Sequence, residues 1–193
     1  EFVSLVGRSG CGKTTLLNLA GAMDFPTSGA VLVDGQSTTG LADAQLTSIR
    51  REKVGFVFQF FQLLPTLTAA ENVELPLQLA GQAKVRQTAL EHLRLVEMES
   101  FAGRYPHQLS GGQMQRVAIA RAIVHSPRIL LADEPIGNLD STSAEVVMKL
   151  LRRIADETQT AILMATHSLE AASITDTIVT LRDGRIEERR AVA

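Results

Sequence analysis

Near the start of the chain, Gly7-Arg8-Ser9-Gly10-Cys11-Gly12-Lys13-Thr14 sets glycines, a lysine and a hydroxyl at the spacing G-x-x-x-x-G-K-[ST]. Such a loop gathers backbone N–H groups around phosphate oxygens, because glycines let the chain pass close with no Cβ in the way. A helix expected over 13–21 adds about half a positive charge at its N-terminus. Lys13 then neutralises the β and γ phosphates and the Thr14 hydroxyl ligates Mg²⁺. Gly7, Ser9, Gly10, Cys11, Gly12 and Thr15 complete the nucleotide-binding set. With ordinary residue usage this pattern arises by accident in roughly one chain of this size in a hundred.

A second glycine-rich run, Leu109-Ser110-Gly111-Gly112-Gln113, opens a helix expected over 111–124. Ser110 suits the N-cap, and the free N–H groups at such an end are what an anion needs. A third segment, Ile129-Leu130-Leu131-Ala132-Asp133-Glu134, is an apolar strand ending in two carboxylates. Strand alternation sends neighbours to opposite sides, so Asp133 and Glu134 can hold different roles at one strand end.

The two cradles in this order resemble the ABC-type ATPases, and the resemblance extends over nearly the whole chain. It implies that ATP and Mg²⁺ are bound, with Asp133 on the metal and Glu134 as general base for the attacking water. Gln59 matches the glutamine that senses Mg²⁺ and that water. His167 matches the histidine that contacts the γ phosphate, and in Gly137-Asn138-Leu139-Asp140 the carried-over residue is Asp140. Of the nucleotide-contacting run Ser110, Gly111, Gly112 and Gln113, the resemblance assigns Ser110 and Gly112 to the γ phosphate held by a facing subunit. ATP is then the glue of a homodimer with two shared sites. Ile136 departs from the family pattern, where a threonine is usual, without removing a catalytic group.

What such a motor drives is less sharply marked. The runs around Phe58–Thr68 and Asp133–Asp140 are similar to the lipoprotein-release and macrolide-export branch, which implies an integral membrane permease as partner and a peripheral position on the cytoplasmic face of the membrane. Phe60 and Phe61 follow the end of a strand, as either a docking surface for that partner or packing beneath a helical lobe. The alternative class is a soluble ABC ATPase acting on nucleic acid or ribosomes. A formal net charge of −2 gives that class no electrostatic support, and no nucleic-acid partner is expected. A GTPase is set aside because N-K-x-D and D-x-x-G are missing.

The 193 residues, 45% hydrophobic and 21% charged, suffice for one globular domain with a real core. No apolar run approaches the ~18 residues a membrane span needs. The lone Cys11 rules out an intrachain disulfide, and it is either a small residue suited to a tight loop or a thiol activated by the helix start. The chain opens at Glu1 without Met and reads as trimmed at its front, with the family's earlier strands and adenine-stacking aromatic absent.

The elements that must position these groups alternate. Strands are expected over Phe2–Val6, 31–33, Val54–Phe58, 129–132, 161–165 and 177–181, several of them apolar enough to be buried on both faces of a mostly parallel sheet. Helices are expected over 13–21, 41–51, 85–97, 111–124 and 143–157. The fold class is therefore α/β, and the resemblance implies a P-loop NTPase core of the RecA-like kind. Strand signal vanishes between Phe58 and Pro127, where Pro65, Pro76 and Pro106 punctuate helical sequence. The single domain thus divides into a core over 1–58 and 126–193 and an inserted helical lobe over 59–125.

Overall fold

The computed structural model describes residues 1–192. Five parallel strands form the sheet: β1 (Phe2–Val6), β4 (Val54–Phe58), β5 (Ile129–Asp133), β6 (Ala161–Thr166) and β7 (Thr177–Arg182). Their order is β4-β5-β6-β1-β7, and β8 (Arg185–Ala191) closes the edge antiparallel to β7. Because β1 has been threaded between β6 and β7, the sheet switches direction there, and ligands of open α/β sheets gather beyond strand C-termini at such points. Register brings those ends level: Phe58 pairs with Asp133, Asp133 with Ala165, and Val6 with Thr166.

Alternation sends successive core residues to the two faces. Leu130, Ala132, Ile162 and Met164 pack on one side with α5 (Gly111–Ile123) and α6 (Ser141–Glu157). Leu5, Leu131 and Ala165 pack on the other with Leu17 of α1 (Lys13–Ala20) and with Leu46 and Ile49 of α2 (Asp43–Lys53). Each fully buried leucine contributes roughly 1.5–3 kcal/mol, so the sheet is held from both sides.

The helical segment contains α3 (Ala69–Leu79), α4 (Val85–Leu95) and two short 3-10 turns. The sequence marks this stretch as helical and reads Pro76 as punctuation. It lies inside the helix. What starts α3 is a capping box: Thr68 Oγ1 accepts the Glu71 N–H at 3.3 Å and a Glu71 carboxylate oxygen accepts the Thr68 N–H at 2.8 Å. Buried Asn72 then ties down the loop before it, accepting from Leu64 N and donating to Leu64 O, Leu67 O and Thr68 O.

Two hairpins went unforeseen. Asp34-Gly35 turns β2 (Leu32–Val33) into β3 (Gln36–Ser37), and Asp183-Gly184 turns β7 into β8. All four turn residues have positive φ, between 49° and 76°, the twist that two-residue hairpins prefer and that Asp-Gly adopts most easily. That dipeptide was the available signal. Every residue of β8 is exposed, and Arg185, Glu187, Glu188, Arg189 and Arg190 are charged, so no alternating apolar pattern betrays it.

Candidate nucleotide site

The Gly7–Thr14 loop hangs from β1 and delivers the chain into α1 as expected. Gly10 and Gly12 sit at φ 81° and 103°, where L side chains are strained. At Gly7 the constraint is contact: a Cβ would lie 2.4 Å from Leu181 O and 2.6 Å from Cys11 Sγ. The Cys11 thiol is buried in the apolar cluster around Leu5 and Leu17, the environment of a small packing residue. The Cys11 carbonyl accepts the Gly184 N–H at 3.0 Å, so the β7–β8 turn rests against the loop.

Lys13 is not a solvated helix-start lysine. Its side chain folds back along the loop, buried, with Nζ donating to Gly7 O at 2.8 Å and Arg8 O at 3.3 Å. Beside it the Thr14 hydroxyl donates to Asp133 Oδ2 at 2.9 Å. A hydroxyl from the start of α1 and a carboxylate oxygen from the end of β5 thus stand together in the cleft.

Glu134 corrects the alternation expected for the carboxylate pair. β5 ends at Asp133, and Glu134 takes a left-handed conformation at φ 48°, so both carboxylates line one cleft rather than opposite sides. Its N–H donates to Ala165 O at 2.9 Å, which fixes the turn to β6. Oε2 of Glu134 lies 2.9 Å from Nδ1 of His167, just beyond the end of β6. Gln59 follows β4. Its Nε2 donates to Asn138 Oδ1 at 3.2 Å while Asn138 Nδ2 donates to the Gln59 carbonyl at 3.2 Å.

Together Ser9, Gly10, Gly12, Lys13, Thr14, Thr15, Gln59, Asp133, Glu134 and His167 line one open cleft of about 430 Å³. The remaining expected residues stand elsewhere. Gly7 and Cys11 shape the loop from behind. Ser110, Gly111, Gly112, Gln113 and Asp140 do not line the cleft at all.

The Ser110 run is a helix cap, as expected. Ser110 Oγ accepts the Gln113 N–H at 3.3 Å and the Gln113 side chain accepts the Ser110 N–H at 2.8 Å. Gly112 is buried, since a Cβ there would meet Ser143 Oγ at 2.6 Å. Asp140 caps the neighbouring α6, accepting from Ser143 N at 2.9 Å and Ser143 Oγ at 2.8 Å, and the first of these hydrogen bonds holds its carboxyl below the usual range. Ser143 therefore joins the Asp140 cap to the Gly112 backbone.

The two phenylalanines differ in exposure. Phe60 is 68% exposed, while Phe61 is partly buried with its ring beside Gly111. Phe61 and Gln62 both have positive φ, and Arg121 of α5 stabilises this pair by donating to Phe61 O at 2.9 Å and Gln62 O at 2.5 Å. Sequence reasoning missed Arg121. It also missed Gln115, buried in α5, whose Nε2 donates to Pro135 O at 2.7 Å and so anchors the turn after Glu134.

The family model described as ABC transporter matches residues 1–137. The chain belongs to the ABC transporter family. It is 49% identical over 194 residues to an uncharacterized ABC transporter ATP-binding protein of Methanocaldococcus jannaschii, MJ0796, covering 97% of this chain and 82% of that protein. A Thermotoga maritima protein described in the same terms is 48% identical, covering 100% of this chain and 83% of its relative. Two solved structures of MJ0796 superpose with a TM-score of 0.91 at 46% and 47% identity, each covering 100% of this chain and 86% of the other. One is described as a dimeric post-hydrolysis state bound to ADP and Pi, the other as a dimeric ABC transporter cassette. The ABC cassette architecture expected from the two cradles, a parallel α/β P-loop core, is the one found.

Proposed function

We propose that this cassette is the ATP-hydrolysing subunit of an ABC transporter, that two copies clamp each nucleotide between them, and that hydrolysis powers an integral membrane permease. One observation carries this: the phosphate cleft and the Ser110 cap are built on one chain yet do not meet. An exposed helix start with free N–H groups is then available to a phosphate held by a second copy, and the relation is reciprocal, as two-fold symmetry requires. The solved relatives, dimeric by description, support the same arrangement.

The residues present fit Mg²⁺ as well as ATP. Among the described residues no group of three His, Cys, Asp or Glu could cage a metal, and Mg²⁺ beside a nucleotide needs only one or two protein oxygens plus phosphates. Thr14 Oγ1 and Asp133 Oδ2 are that pair, with Gln59 lining the same cleft. When bound there, Mg²⁺ offsets charge on the phosphate oxygens. Lys13 and the loop N–H groups hold the phosphates, Glu134 takes the proton of the attacking water, and His167 orients that carboxylate and faces the γ phosphate. Asp140 sets the start of α6 against Gly112.

The whole is one domain, with a core over 1–58 and 126–193 and a helical lobe over 59–125. Docking of the permease falls to Phe60 and to a groove of about 480 Å³ floored by Phe56, Phe58 and Leu75 and rimmed by Arg50, Arg51 and Arg121. Arg121 sits on the helix that Ser110 begins, so the groove and the cap share a rigid rod. No described helix is long and apolar enough to cross a membrane, and the cassette is placed at the cytoplasmic face through its partner. Mixing Lys13→Ala with Ser110→Arg tests the shared site: each alone is inactive, and together they recover part of the turnover through one intact interface. Turnover per molecule independent of dilution, with no recovery on mixing, would refute it.

A further inference from the structure

Gln59 carries a side-chain amide whose two ends differ in use, since only its oxygen can serve a cation or accept from a water. Which end faces the cleft is decided by its neighbour. Asn138 Nδ2 donates to the backbone carbonyl of Gln59, a group with no proton to return. Asn138 therefore has to present Oδ1 to the Gln59 side chain, and Oδ1 can receive only Nε2. That contact leaves Gln59 Oε1, which accepts no hydrogen bond from the described residues, for the cleft that Gln59 lines. Gly137 makes the closeness feasible: a Cβ there would stand 2.9 Å from Gln59 Nε2, 3.2 Å from Cδ and 3.3 Å from Cγ.

We infer that Asn138 is a positioning residue that fixes the Gln59 amide with its oxygen toward Mg²⁺ and the attacking water. The inference rests on the role proposed for Gln59. Asn138 does not line the cleft, so its effect passes through one amide. It also joins the loop after β4 to the loop before α6, so displacement of either turns the oxygen away.

The test is a double-mutant cycle on the purified protein with Asn138→Ala, Gln59→Ala and the pair, read as kcat, KM for ATP and the Mg²⁺ concentration for half-maximal rate. One neutral hydrogen bond corresponds to about three- to tenfold, so Asn138→Ala should lower kcat by that factor with KM for ATP held within about twofold. The pair should match Gln59→Ala alone, and Asn138→Asp, which keeps the acceptor for Nε2, should recover part of the loss. In nucleotide-free and metal-free protein, the Gln59 side-chain amide protons should exchange slowly by NMR and lose that protection in Asn138→Ala. Losses that multiply in the pair, or an unaltered Gln59 amide signal in Asn138→Ala, overturn the inference. Should Gln59→Ala itself leave kcat and Mg²⁺ dependence intact, the role given to Gln59 falls instead, and the metal-free NMR comparison still decides whether Asn138 orients its amide.

Discussion

Oε2 of Glu134 lies 2.9 Å from Nδ1 of His167 and accepts the backbone N–H of the same residue at 3.4 Å. An ionised carboxylate can only accept, so the proton of that contact sits on Nδ1 and the ring is held in one orientation. A left-handed backbone at Glu134 makes this meeting possible. Replacing Glu134 by Gln keeps the shape and removes the base proposed above. Turnover should fall by about 10²–10⁴ while ATP binding persists, checked by steady-state hydrolysis beside equilibrium nucleotide binding.

Gly112 is a packing requirement before it is anything else. In Gly112→Ala the new methyl would meet Ser143 Oγ at 2.6 Å and Cβ at 2.8 Å, and overpacking of this kind costs about 1–3 kcal/mol. Thermal unfolding should shift downward accordingly, and Ser143→Gly in the same background should return part of the shift. Absence of any destabilisation would mean that α5 and α6 are not locked here.

The Cys11 thiol should resist alkylation in the folded cassette. It is buried, and the Gly7 backbone stands against its sulfur. Labelling with a maleimide should be slow in native protein and rapid in denaturant, measured by mass. Fast native labelling would restore the activated thiol weighed against a packing residue from sequence.

His125 provides a pH dependence whose sign can be worked out. Burial pushes its imidazole below the usual value, outweighing the contact of Nε2 with Val54 O at 3.1 Å, and the charge of His92 acts in the same direction. Nδ1 is buried without a partner, so a second proton has no acceptor. As pH falls below about 6.5, the unfolded chain takes up the proton first and stability declines until the folded value is passed; above that window nothing changes. His125→Gln keeps a donor for Val54 O and should flatten this stretch of a denaturant-midpoint profile.

Chemistry was legible where residue type and spacing alone dictate it. Lys13, Thr14 and Asp133 line one cleft and Ser110 caps α5, because short-range geometry suffices to build a loop on a strand end and a cap on a helix. The two cradles and the strand ending in Asp133-Glu134 carried both the fold and the family. Legibility failed where one long-range contact overrides a local tendency. Pro76 is tolerated because α3 is already started by Thr68 and Glu71 and packed on α5. Glu134 leaves the strand pattern because Ala165 captures its N–H. The partnership of Gln59 with Asn138 joins residues far apart in sequence, so no periodicity could announce it. Phe60 and Phe61, adjacent and alike in type, differ in exposure where the backbone turns left-handed at Phe61 and Gln62.

The hydrogen bond from Gly184 to the Cys11 carbonyl means that the nucleotide grip is finished by a hairpin made far later in the sequence. Its backbone is clasped from the flank as well as hung from β1. During synthesis, the loop would emerge well before the hairpin that braces it. In the finished molecule, the turn between the two outer strands shares a single backbone hydrogen bond with the glycine loop.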